Sequence, residues 1–157
     1  MKKTLFCATL AVCLLFAGCK TPLFNPKADA KISYFTDMTN LQAVSLTLVG
    51  AAPHAAKAFV TITNGVDTTF TDYSIDYYDV NGRLLPISID NKITAYIAGS
   101  GSVAAPATGY ITINVTNASV TAYKTANALT QLNLVVVISG EDINGNQISM
   151  GGNFILY

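Results

Sequence analysis

Apolar and polar residues alternate with a period of two through most of the chain beyond Lys31, and this constrains the fold more than any other feature. Ala58, Val60 and Ile62 alternate with Phe59, Thr61 and Thr63; Leu85, Ile87 and Ile89 with Pro86, Ser88 and Asp90; Ile111, Ile113 and Val115 with Thr112, Asn114 and Thr116. Successive side chains of a strand point to opposite faces, so each run reads as a strand with one apolar face and one wet face. Weaker candidates cover residues 31–35, 42–49, 70–79, 93–97 and 151–157, while 132–138 is a continuous apolar run suited to a strand covered on both sides. Asn81-Gly82 and Asn144-Gly145 each join two such runs. Asn-Gly accepts the positive φ angles of a type I′ turn, so both predict hairpins. Residues 120–129, with Ser119 as cap, form the one candidate helix. The reading is all-β: an antiparallel β-sandwich with at most one short helix, immunoglobulin-like in its Greek-key topology, with a small barrel as the alternative. A length of 157 residues allows one such domain.

The N-terminus follows different rules. Lys2 and Lys3 precede an apolar stretch, residues 5–18, that ends in Ala17 and Gly18 before Cys19. This is the layout of a secretory signal, and its 14 residues fall short of the roughly 20 that a membrane-spanning helix needs. Leu15-Phe16-Ala17-Gly18-Cys19 resembles the lipobox of bacterial lipoproteins, in which the cysteine is acylated and becomes the new N-terminus; Phe16 departs from the aliphatic residue commonest at its place. The resemblance implies a signal peptide over 1–18, lipidation at Cys19 and anchoring by more than one acyl chain, which stable attachment requires. Lys20, where an aspartate retains some lipoproteins in the inner membrane, favours the outer membrane, facing the periplasm or the cell surface. Residues 19–30, with Pro22 and Pro26, read as a lipidated tether and 31–157 as the sandwich. Cys7 and Cys13 leave with the signal, so the mature domain has no possible disulfide, and seven basic residues remain against nine acidic ones.

A second resemblance lies in the domain. Phe59-Val60-Thr61-Ile62-Thr63-Asn64, followed by the strand-and-turn run from Tyr73-Ser74-Ile75-Asp76-Tyr77-Tyr78-Asp79 through Gly82 to Leu85, is similar to small bacterial lipoproteins with immunoglobulin-like domains, including those called FxLYD. The shared pattern is structural and implies a fold and a location, with no functional residues to carry over.

Chemistry is sparse. The only histidine, His54, sits among small residues, and no Gly-x-Ser-x-Gly is present, so no catalytic residue is assigned and the expectation is a non-enzyme. Asp72, Asp76 and Asp79 lie on or beside one strand and read as a solvated face. Asp142, Asn144 and Asn146 alternate as EF-hand ligands do, but Gly145 comes two places early and Asn153 stands where a bidentate Glu is needed. A turn whose Asp bonds its own backbone explains them better, and neither metal nor cofactor is expected. Without clustered Lys or Arg there is no footprint for nucleic acid. Eight tyrosines and seven phenylalanines leave aromatic contacts as the remaining signal. Tyr73, Tyr77 and Tyr78 occupy both faces of one strand, so their inward rings read as core, while the outward ones together with Asn81 form the expected binding surface. The expected role is a lipid-anchored envelope module that binds or helps assemble another envelope protein; the alternative is a carrier of a small ligand or glycan in an aromatic cleft.

Overall fold

The computed structural model describes residues 26–38, 45–46, 54–101 and 105–157. The signal, Cys19 and the first part of the tether lie outside the described residues, and the candidate strand 42–49 is described only at its centre.

Among the described residues, eight strands and one helix follow in the order β1 (Ala30–Asp37), β2 (Ser45–Leu46), β3 (Ala55–Ile62), β4 (Thr68–Tyr78), β5 (Leu84–Ile97), β6 (Ala107–Asn114), α1 (Ala118–Ala126), β7 (Leu132–Asp142) and β8 (Gln147–Leu156). They form two sheets, β1-β3-β6 and β2-β8-β7-β4-β5. All pairings are antiparallel except the two-residue contact of β2 with β8. This is an immunoglobulin-like sandwich: β4, β7 and β8 share one sheet with β5 added at its edge, and β3 pairs with β1 and β6 in the other. Each sheet keeps its own edge strands, which excludes the barrel alternative.

The alternation of the sequence becomes the core. Ala58, Val60 and Ile62 of β3 and Ile111 and Ile113 of β6 meet Ile75 of β4 and Leu134, Val136 and Ile138 of β7, all with 1% exposure or less. The run 132–138 is covered on one side only: Asn133, Val135 and Val137 face outward and are half-buried. Residues 85–89 and 93–97 belong to the single long strand β5, and 151–157 is the second half of β8.

The helix begins earlier than Ser119 predicts. Asn117 is its cap, accepting the Val120 amide through its side chain at 2.9 Å, and Val120 is the only residue of α1 that is fully buried. Nine residues that bury one side chain make a connector between the two sheets.

Both Asn-Gly hairpins are present, with a different turn from the one expected. At the β4–β5 turn the Gly82 amide donates to the Asp79 carbonyl at 3.1 Å and the Asp79 amide to the Arg83 carbonyl at 3.0 Å. Among Val80, Asn81 and Gly82 only Gly82 has positive φ, +76°. This is a three-residue loop, a type I turn closed by a glycine bulge, in place of type I′. The reason is Asp79, whose Oδ1 accepts the amides of Asn81 (2.8 Å) and Arg83 (2.9 Å) and so holds the chain in the wider turn. The β7–β8 turn repeats it with Asp142 and Gly145, φ +78°. A Cβ on Gly82 would meet nothing within 4 Å, so Gly82→Val is expected to cost about 1–2 kcal/mol through backbone strain alone. Gly82→Asn should cost much less, since Asn tolerates the left-handed region. Urea unfolding of the two variants measures the difference.

The two hairpins mark opposite ends of the sandwich, because Thr68 pairs with Asp142 at one end of the β4–β7 ladder and Tyr78 with Asn133 at the other. The segment 26–29, read from sequence as tether, is fastened to the Asp142 end. The Ala28 amide donates to Asp142 Oδ2 at 2.9 Å, Asn144 Nδ2 to the Pro26 carbonyl at 3.0 Å, the Asp29 amide to Asn64 Oδ1 at 3.0 Å, and the Thr63 amide to the Asp29 carbonyl at 3.0 Å. The chain therefore joins the domain at Pro26, four residues before β1.

Candidate binding surface

The aromatic strand β4 divides its three tyrosines between two jobs. Tyr73 and Tyr77 point inward, 4% and 0% exposed, and are removed from the binding surface expected of them. Their hydroxyls explain the placement. Each spans the sandwich to the backbone at the end of β6: the Tyr77 hydroxyl donates to the Val115 carbonyl at 2.8 Å, and the Tyr73 hydroxyl accepts the Asn114 amide and Asn91 Nδ2, each at 2.9 Å. A phenol can fill a core only if its tip finds a partner, and the end of β6 supplies one. Burial, with the neighbouring Tyr73 adding to it, pushes the Tyr77 hydroxyl far above the usual phenol range. Both rings tie the two sheets together.

Tyr78 faces outward and is half-buried, and Asn81 is exposed at the tip of the hairpin that follows. Beside them the outer face of the five-stranded sheet holds an open groove of about 490 Å³, lined by Tyr78, Asn133, Val135, Asn153 and Ile155 with Gly82 at its mouth. The register places these side by side: Tyr78 pairs with Asn133, Asn133 with Ile155, and Val135 with Asn153. Leu84, paired with Tyr78, and Val80 in the turn extend the apolar surface and are 55% and 62% exposed. The groove wall is held in place by Asn133, whose Nδ2 donates to the Asp79 carbonyl at 3.0 Å, while Gln131 Nε2 donates to its Oδ1 at 3.1 Å. The lining offers a phenol, two amides and aliphatic surface, a composition suited to apolar contact with a few orienting hydrogen bonds. Tyr78 stands out in the sequence as a strand aromatic, whereas Val135, Asn153 and Ile155 join it only through sheet register.

The remaining candidates have local tasks. Asp72 pairs with Lys92 on the exposed face of β4 and β5; the hydrogen bond from Lys92, then that from Thr71, holds its carboxyl below the usual range. Asp76 is exposed, and Asp79 caps its turn. His54 sits before β3 with its amide on Thr116 Oγ1 at 2.7 Å and its Nδ1 at 3.2 Å from the same oxygen. Asp142 does not combine with other acids: among the described residues no three His, Cys, Asp or Glu side chains stand close enough to share a metal ion.

A second aromatic feature, unnoticed in the sequence, lies on the outer face of the three-stranded sheet. Tyr34, Phe59 and Tyr110 stand in register on β1, β3 and β6. The Tyr34 and Phe59 rings stack at 4.5 Å between centroids and 16° between planes, and Phe59 and Tyr110 follow at 5.9 Å. The first spacing is close to the distance between neighbouring strands, so these two rings stand on the sheet face to face. Lys57 Nζ lies 4.9 Å from the Tyr110 ring centre.

No protein-family model matches the chain, and no curated protein matches it. Among solved structures, a protein described as ApaA from Bordetella pertussis aligns at 11% identity over 83% of this chain and 94% of its own, with a TM-score of 0.45. A protein described as late embryogenesis abundant aligns at 13% identity over 99% of this chain and 86% of its own, also at 0.45. The CARDB domain of a Pyrococcus furiosus protein, solved with di-metal ions, aligns at 10% identity over 84% and 90% with a TM-score of 0.35. Similarity at this level assigns neither a family nor an activity, and the sandwich stands on the chain's own two sheets.

Proposed function

We propose that the chain is a lipid-anchored protein of the bacterial cell envelope, held in the outer membrane through Cys19, and that its sandwich is a non-enzymatic module that binds or helps assemble another envelope protein. The observation that carries this reading is polarity. The chain enters the domain at the Asp142 end, whereas the groove beside Tyr78 and the exposed Val80 and Leu84 lie at the Asn81 end. A protein attached by its N-terminus then presents this apolar groove away from the attachment point, where a partner can reach it. Exposed aliphatic surface gathered around a few amides is the composition of an interface core.

The test uses the full chain in a Gram-negative host, carrying a photo-crosslinking residue at Asn153, with and without Cys19→Ala. The expected result is membrane fractionation with a discrete crosslinked envelope protein, and release of the Cys19→Ala chain from the membrane or its retention as an uncleaved precursor. Unchanged processing and membrane association of Cys19→Ala would refute the anchor. The absence of any crosslinked protein from Asn153 would refute the groove as a docking surface.

A further inference from the structure

We infer that the domain lies on the membrane that anchors it, with the outer face of the three-stranded sheet against anionic phospholipid headgroups and the groove turned away. This extends the anchoring reading above and rests on it. Six residues separate Cys19 from Pro26, a reach of at most about 25 Å. The eleven residues of β7 make the sandwich roughly 35 Å long. A body longer than its tether stays beside the bilayer, so which of its faces meets the headgroups is decided by what those faces carry.

The two broad faces carry opposite charge. On the three-stranded sheet the outward residues of the register include Lys31 and Lys57 and, among the described residues, no acid; Asp37, half-buried at the end of β1, pairs with the inward Ala56. Asp29, exposed just before β1, accepts a hydrogen bond from Thr63 and keeps its charge, but it precedes the first rung of the β1–β3 ladder and lies off the aromatic rows. The five-stranded sheet presents Asp76, Asp90 and Glu141, all exposed, with Lys92 taken up by Asp72. An anionic surface attracts a nearby basic side chain and repels the acids, so the two orientations differ in free energy even though the mature chain as a whole is slightly acidic.

The uncharged residues of the same face fit the same neighbour. Tyr34 and Tyr110 are 47% and 55% exposed, with Phe59 between them, which leaves a strip of aromatic surface in water. Tyrosine concentrates at membrane interfaces because its ring prefers the acyl boundary and its hydroxyl the headgroups, and lysine stems lie along apolar surface while the ammonium stays wet. Thr61, Thr108 and Thr112 fill the rows on either side. Headgroups offer anionic oxygens to the lysines and an amphipathic layer to the rings.

The test is made on the full acylated chain in vesicles. A fluorophore is attached through Thr112→Cys on the three-stranded face or Ser88→Cys on the five-stranded face, and quenched by lipids labelled at headgroup depth. Both positions lie toward the Asn81 end, so an upright domain keeps both away and only a domain lying on the three-stranded sheet brings Thr112 close. Strong quenching at Thr112 and weak quenching at Ser88 in phosphatidylglycerol-containing vesicles is expected, with the contrast lost in about 1 M salt, where the screening length is about 3 Å. Lys31→Gln and Lys57→Gln should each lower the docked-to-undocked ratio by roughly fivefold while leaving the chain in the vesicle fraction. Equal quenching at the two sites, or a contrast that persists in pure phosphatidylcholine and in salt, would overturn the proposal with the anchor intact. A mass lacking acyl chains at Cys19 would overturn the anchor and the docked face together.

Discussion

Asp142→Ala is expected to destabilise the domain by about 3 kcal/mol or more, because one carboxylate removed from a nearly sealed site leaves several donors without acceptors. Asp142 is 4% exposed. Its Oδ1 accepts the amides of Asn144 and Asn146, each at 2.9 Å, and its Oδ2 accepts the Ala28 amide and Asn146 Nδ2, each at 2.9 Å. It therefore closes the β7–β8 hairpin and fastens the incoming chain with the same group. Burial pushes its carboxyl upward, but the hydrogen bonds from the Asn146 side chain and from the Asn146, Ala28 and Asn144 amides outweigh it, and the net shift is downward. A carboxyl whose folded pKa lies below its unfolded value, about 3.9, stabilises the fold fully above that pH and loses the contribution as pH falls through the folded value. The urea midpoints of wild type and Asp142→Ala should differ most at neutral pH and converge below about pH 4. A gap that stays constant into acid would mean that the charge is not what the site uses. Asp79, which makes the equivalent turn in a more open setting and binds no incoming strand, should cost less when replaced by Ala.

Much of this fold was legible because one face of each strand is dry. Alternation identified β3, the first half of β5 and β6 by their inward residues, and the Asn-Gly pairs located both hairpins. What escaped is what depends on partners distant in sequence. The turn type follows from the aspartate that opens each loop, not from the Asn-Gly pair alone. The fastening of 26–29 uses side chains from Asn64, Asp142 and Asn144. The sequence leaves open which of Tyr73, Tyr77 and Tyr78 point inward, and the end of β6, which receives the Tyr73 and Tyr77 hydroxyls, decides it. The groove and the aromatic row are products of register: residues as far apart as Tyr78 and Ile155, or Tyr34 and Tyr110, become neighbours only when the sheets assemble. Strand periodicity also cannot show where it will be interrupted. Strict alternation from Phe70 would send Asp72 into the core with it, yet Phe70 pairs with Gly140 and Asp72 with Ser139, so Thr71 is bulged out and the phase changes.

That bulge makes Gly140 the least replaceable glycine of the sheet centre. The extra residue in β4 bends its backbone toward β7, and a Cβ on Gly140 would stand 2.1 Å from the Thr69 carbonyl oxygen and 2.6 Å from the Phe70 Cα. Both are main-chain atoms of the neighbouring strand, so no rotamer change can relieve the contact. Either the β4–β7 ladder opens at Thr69 and Phe70 or the bulge is lost, and losing it puts Phe70 and Asp72 on one face, so that either Asp72 enters the core or Phe70 turns to water. Gly140→Ala is therefore expected to cost about 4 kcal/mol or more, at the extreme of single substitutions, and to give an unfolded or aggregating chain at physiological temperature. Gly151→Ala supplies the contrast within the same sheet. Gly151 is exposed on β8, and its added methyl would approach nothing closer than the Val136 carbonyl oxygen at 3.8 Å. That change should be neutral, or stabilising by up to about 1 kcal/mol through the reduced entropy of the unfolded chain. Thermal unfolding by far-ultraviolet circular dichroism compares the two: a Gly140→Ala domain that melts within a few degrees of wild type would show that β4 has no bulge opposite this glycine.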